Sequence, residues 1–93
     1  MWCIVFRKPD DLIYYSGGKT LTTFNKYRAF KFGTVEECAE HALAVDEYKD
    51  VILENHYDSD FEIHIIDLDD TSRPLKPGIH INEIKFKKLV QLI

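Results

Sequence analysis

The sequence predicts an α+β fold: a small antiparallel or mixed β-sheet with a central amphipathic helix packed on one face, in the order β-β-(β)-α-β-α. Three observations carry that expectation. The chain opens with short β-branched and aromatic runs separated by Pro, Gly and Asp turns. A capped helix with one apolar stripe begins near residue 34, and a strongly apolar strand pattern follows it. With 93 residues, 45% of them hydrophobic and 13% aromatic, residues 1–93 have the size and composition of one folded domain.

Trp2 to Lys8 reads as the first strand, and Pro9-Asp10-Asp11 as a turn in which Pro presets φ. Leu12-Ile13-Tyr14-Tyr15 closes a hairpin with it. Ser16-Gly17-Gly18-Lys19 is a second turn, where glycine permits positive φ. Thr20 to Phe24 suits a short strand or a polar loop, and Tyr27 to Phe32 the end of an edge strand. Thr34-Val35-Glu36-Glu37 then has the capping-box form. Val35, Cys38, Ala39, Ala42 and Leu43 follow at i, i+3, i+4, i+7 and i+8, one apolar face.

Beyond Val45 the stripe drifts, because Tyr48 and Val51 rotate off it. Either the helix bends or a second one starts at Asp46, a good N-cap, and the pattern ends near Asn55-His56. Tyr57-Asp58-Ser59-Asp60 is a turn. Phe61 to Leu68 is a strand with Phe61, Ile63 and Ile65 on one face. Asp69 to Gly78 is a loop carrying Pro74 and Pro77. From Ile79 the tail reads as a short strand or extended lead-in followed by a helix, with a final strand as the alternative.

The opening apolar run is too brief and too early interrupted by Arg7 for a signal peptide, and no run approaches the roughly 18 residues that cross a bilayer. A cytoplasmic location follows as the expectation. Cys3 and Cys38 read as buried thiols; pairing them requires the first strand to lie beside the helix. A core this small leaves little room for an enclosed pocket of several hundred Å³, roughly the size a substrate needs.

Net charge is −4, but its distribution is uneven. Residues 1–45 carry +1, residues 46–70 carry −9, and residues 71–93 carry +4. The middle acids are Asp46, Glu47, Asp50, Glu54, Asp58, Asp60, Glu62, Asp67, Asp69 and Asp70, with Lys49 the lone base among them. Such a run commonly serves solubility. Gathered on one face, it would dock on a basic protein surface, with Tyr48 and Tyr57 as aromatic anchors. The same acids repel phosphates, so direct nucleic-acid binding is not expected.

No motif for catalysis emerges. Asp10 with Glu83-Ile84-Lys85 superficially resembles a metal-dependent nuclease pattern, but Asp10 sits in a turn. His56-Tyr57-Asp58-Ser59-Asp60 lacks the glycine and distal glutamate of a calcium loop. His64 and His80 can be joined by sheet pairing, yet two histidines alone make no zinc site. Glu37 and His41 form an ordinary i, i+4 helix pair. Ser16-Gly17-Gly18-Lys19-Thr20 lacks the glycine spacing of a phosphate loop. The expectation is a non-enzyme with no cofactor and no metal.

The stretch from Tyr27 to Ala39 resembles a strand-to-helix junction, A-x-x-F-x-T-x-E-E-A, of small phage- and mobile-element-encoded accessory proteins, with Cys38 in place of the last alanine. Such proteins include anti-CRISPR and anti-restriction inhibitors. The resemblance implies a stoichiometric inhibitor of a host nucleic-acid-handling protein, a defence nuclease or CRISPR effector, acting in the host cytoplasm. It carries over no functional residue. The alternatives are an immunity protein or antitoxin for a basic toxin, a metal-dependent nuclease or nuclease subunit, and a homodimer through the apolar tail.

Overall fold

Cys3-Ile4-Val5-Phe6 is the one stretch of the chain in which four successive described residues are all fully buried. An unbroken apolar run of this kind belongs to a strand covered on both faces. The structure, a computed structural model, describes residues 1–8, 11–18, 21–53, 61–69 and 78–91. It places that run in β1 (Trp2–Lys8), the middle strand of an antiparallel sheet. The others are β2 (Asp11–Gly17), β3 (Leu21–Thr23), β4 (Glu62–Asp67) and β5 (Ile79–His80), in the order β3-β2-β1-β4-β5. The helices among the described residues are α1 (Val35–Glu47), α2 (Lys49–Ile52) and α3 (Ile81–Gln91). The fold is therefore α+β, as expected, with β5 and α2 added to the anticipated order.

Alternation along β1 divides the interior. Ile4 and Phe6 face the helices and pack with Ile13, Phe61, Ile63 and Ile65. Cys3 and Val5 face the other way, against Leu12, Tyr14, Ile66, Leu68 and Ala29. The two cysteines thus lie in different clusters, since Cys38 sits under α1. β1 does run beneath the helix, but the odd position of Cys3 points it to the opposite face, and both thiols are free. Burial pushes each thiol up to about 12, which leaves it protonated and inert at neutral pH.

β2 follows β1 only from Lys8↔Asp11 to Val5↔Tyr14, then turns toward β3 through an irregularity between Tyr15 and Gly17. The edge of β1 left open at Trp2 is filled from elsewhere. Trp2 and Phe32 exchange backbone hydrogen bonds of 2.9 and 2.8 Å, and the Phe30 amide donates to the Tyr15 carbonyl at 2.9 Å. The edge strand expected over Tyr27 to Phe32 is absent for a local reason. The Asn25 side chain accepts from the Tyr27 amide at 3.0 Å, winding Lys26–Arg28 into a 3₁₀ turn. Only Phe32 returns to the sheet, as a single bridge.

α1 starts where the sequence places it: Thr34 Oγ1 accepts from the Glu37 amide at 3.2 Å. Cys38, Ala42 and Val45 are buried, and Val35, Ala39 and Leu43 pack beside them. The helix ends at Glu47, and a separate turn of helix begins after Tyr48 rather than at Asp46. Had α1 continued straight, its next residues would have left the core. The break lets Leu53 and part of Ile52 return to it. At the other end, Ile81 and Ile84 bury one side of α3, which Lys85 Nζ ties to Asp46 at 2.6 Å. No helix among the described residues is long and apolar enough to cross a membrane.

Gly78 leads into β5 with φ +85°, and a Cβ there would collide with the Ile65 carbonyl and the Ile66 side chain. Gly78→Ala combines a left-handed backbone with a clash against β4. It should cost roughly 2–4 kcal/mol of stability. A urea unfolding midpoint matching wild type would contradict this account of how β5 docks.

Candidate functional site

The clearest cluster of chemically active side chains follows from strand alternation. In β4, Ile63 and Ile65 go to the helix side, so Glu62 and His64 project from the other face. β5 pairs antiparallel with β4 in a register that sets His80 opposite His64 and Ile79 opposite Ile65. His80 therefore shares the face of His64 and Glu62. The two imidazoles meet edge to face with centroids 4.8 Å apart. Glu62 Oε2 stands 3.6 Å from His80 Nε2 and 4.0 Å from His64 Nε2. One ligand-capable atom from each residue lies within 4.8 Å of the others. The sequence reading pairs the histidines but misses Glu62, whose signal is the E-x-H spacing on a strand of period 2.

Hydrogen bonding fixes the proton of His80. His80 precedes α3 and its Nδ1 accepts from the Asn82 amide at 3.0 Å, capping the helix with a ring nitrogen. A neutral His80 thus carries its proton on Nε2, toward Glu62. His64 is 6% exposed, and its Nδ1 is buried with no hydrogen-bond partner. Both Nε2–Oε2 separations exceed the roughly 3.2 Å limit of a good N–H···O bond. Burial, then the charges of His80 and Arg7, hold His64 below its ordinary 6.5, against the opposing pull of Glu62.

Two imidazoles and one carboxylate are donors of the kind zinc takes in sites with an open fourth position. Coordination through Nε2 requires the proton of each neutral ring to sit on Nδ1. For His80 that releases the Asn82 amide, costing about 1 kcal/mol. For His64 it leaves a buried N–H without an acceptor, costing about 1–3 kcal/mol. Structural zinc contributes about 10–16 kcal/mol, so neither cost is decisive.

The expected docking residues fall into separate places. Asp46, Glu47, Tyr48 and Asp50 come together at the corner between α1 and α2. Tyr48 is 62% and Val51 60% exposed there, flanked by exposed Glu47 and Asp50. Asp46 is committed to Lys85. Val51 is a member the sequence reading passes over, although its rotation off the α1 stripe marks it.

Asp67 and Asp69 lie at the other end of α1. Trp2 pairs with both Asp67 and Phe32, so α1 begins near them and carries the corner about 20 Å away. Both carboxylates face the Met1 amine, with Asp67 at 3.5 Å and Asp69 in direct hydrogen-bonded contact. Glu54, Asp58, Asp60, Asp70 and Tyr57 lie outside the described residues, as do Asp10, Lys19, Thr20 and His56. Glu83 stands on helix α3 and not on a strand, and Lys85 is engaged by Asp46, so the nuclease-like pattern is not assembled from them.

Two further surfaces were not anticipated. The turn around Lys26–Arg28 exposes Phe24, Tyr27 and Phe30 beside Lys26, Arg28 and Lys31, a basic and aromatic end with no acid between residues 21 and 33. An open groove of about 320 Å³ runs over Ile65 and Ile79 between α1 and α3, rimmed by Glu36, Glu40 and Lys87.

The lowered His64 predicts a pH dependence. Between 6.5 and its folded-state value, the unfolded chain takes a proton that the folded one refuses, so stability falls as pH drops below 6.5. Urea midpoints of chelator-treated protein should decline more steeply from pH 7.5 to 5.5 in wild type than in His64→Gln. Parallel curves for the two proteins would show that this histidine is not disfavoured as a cation.

Neither a family model, nor a curated protein, nor a solved structure matches this chain.

Proposed function

We propose that this protein works by stoichiometric protein–protein binding, and that the α1–α2 corner is its contact surface. The observation that carries the reading is the pair of exposed apolar side chains, Tyr48 and Val51, each next in sequence to an exposed acid, Glu47 and Asp50. An apolar anchor within a charged rim is how small interfaces combine affinity with steering. The ring of Tyr48 brings contact area at low entropic cost, and the acids draw in a surface of opposite sign. Asp46 supports the corner indirectly, because its ion pair with Lys85 braces the end of α1 against α3.

The partner this corner fits is a protein with a lysine- and arginine-rich groove. Proteins that handle nucleic acids carry such grooves, so the protein would act as an inhibitor that competes with the nucleic acid. The resemblance of the Tyr27–Ala39 junction to phage accessory proteins favours a host defence nuclease or CRISPR effector as that partner. An antitoxin role toward a basic toxin uses the same physics with another partner.

The test is a tagged pull-down from host lysate at low and high salt, with wild type beside Glu47→Lys/Asp50→Lys and Tyr48→Ala. For a captured protein with a basic groove, charge reversal should slow association about tenfold or more and flatten its salt dependence. Tyr48→Ala should weaken binding by about 1–2 kcal/mol through faster dissociation. Capture unchanged in both variants would remove the corner as the contact surface.

A further inference from the structure

We propose that Glu62, His64 and His80 form a binding site for a divalent transition-metal ion of the zinc class, on the face of the sheet opposite the helices. The three side chains are not neighbours by chance rotamers. Strand alternation sends Glu62 and His64 to one face, and the His64↔His80 register brings the third donor onto it.

The spacing suits an ion better than it suits hydrogen bonds. Donors bound to tetrahedral zinc at about 2.0–2.2 Å stand about 3.4 Å from each other. The separations of 3.6 and 4.0 Å lie just beyond that edge and the third pair lies within 4.8 Å, so side-chain rotation toward a common centre closes the set. One carboxylate cannot satisfy two imidazoles at these distances, whereas one cation between them engages all three. His64 is more than nine-tenths buried, so packing already holds its ring with Nε2 toward Glu62. Two imidazoles with a single carboxylate select zinc, nickel or copper over magnesium or calcium. Glu62 is exposed and His80 partly so, which leaves the fourth position open to water.

The ion would bolt β5 and the start of α3 to β4. β5 holds the sheet through only two residues, so this link would matter most there. Nε2 coordination also has a signature that a surface-adsorbed ion lacks. His80 must shift its proton from Nε2 to Nδ1, and the Asn82 amide must give up its acceptor.

Chelator-stripped full-length protein titrated with zinc chloride by calorimetry should bind one ion per chain. Cobalt(II) should give the intense visible absorption of a four-coordinate site. In ¹⁵N NMR, zinc should switch His80 to the Nδ1–H form and move the Asn82 amide resonance. Outer-shell partners of metal ligands alone are worth about 10–100-fold in affinity, so Glu62→Gln, His64→Ala and His80→Asn should each lose at least about a hundredfold. Asn at position 80 can still cap the Asn82 amide, so circular dichroism and the unfolding midpoint of chelated His80→Asn separate lost binding from lost fold. His41→Ala, whose ring stacks on Phe30 beside Phe32 and Tyr15, should bind as wild type does.

No saturable zinc uptake by wild type would overturn the proposal. So would equal affinity in wild type and His80→Asn, or zinc uptake with the His80 tautomer unchanged. None of these outcomes bears on the α1–α2 corner, which is tested through Tyr48, Glu47 and Asp50.

Discussion

Everything in this fold is referred to β1, a strand hydrogen-bonded on both edges and buried on both faces from Cys3 to Phe6. At about 25 cal/mol per Å² of apolar surface, four such residues form the longest fully buried segment among the described residues, and burial there stabilises the fold most densely. Their burial has a geometric price: both edges of the strand must be paired along its length, because an unpaired backbone group in this setting costs a lost hydrogen bond. β4 covers one edge from Trp2 to Arg7. β2 covers the other only in part, so the chain returns at Phe32 to bond Trp2. That return delivers Gly33 and Thr34 to the end of the sheet and thereby fixes where α1 begins.

The same strand decides which side chains can meet. Since Ile4 and Phe6 face the helices, their partners Ile65 and Ile63 must as well, and the intervening His64 is forced to the other side opposite Val5. His80 follows through its pairing with His64. A one-residue slip of β4 against β1 would send Glu62 and His64 under α1 and expose Ile63 and Ile65. The hydrophobic core and the His–His–Glu cluster are therefore two readings of one register. The tight approach of Gly78 to Ile65 serves both, because it admits β5 to the edge of β4.

What the sequence makes legible is the part governed by local chemistry. The Thr34 cap, the α1 stripe and the face shared by Phe61, Ile63 and Ile65 depend on spacing within one element, and all three are found. The segment from Asn25 to Phe32 was opaque because its outcome turns on one side-chain oxygen competing with a strand, and then on a gap left by β2. Glu62 as a companion of two histidines was opaque for a related reason: β5 lies well beyond β4 in sequence, and its register is set by tertiary pairing. The break at Tyr48 lies between these cases. The drift of Tyr48 and Val51 is visible in the sequence, but whether the chain bends or restarts depends on Leu53 finding the core.

Charge shows the difference between composition and structure most directly. Ten acids in residues 46–70 would form an acidic face only if gathered together, yet four of those described are divided among three pairings. Asp46 meets Lys85 from the basic tail, Asp67 and Asp69 meet the amine of Met1, and Glu62 meets two imidazoles. The amine is correspondingly raised above 8.0, chiefly by its hydrogen bond to Asp69. A carboxylate paired in this way acts at a distance as part of a dipole, whose field decays faster than that of a single charge and is further screened within about 8–10 Å by salt. Long-range steering is then the work of acids standing apart from such pairs. Around the corner formed by α1 and α2, Glu47 and Asp50 are exposed beside the two apolar side chains they flank. Among the described acids of residues 46–70, those exposed outside such pairs thus stand at that corner, while the turn around Lys26–Arg28 is basic and aromatic.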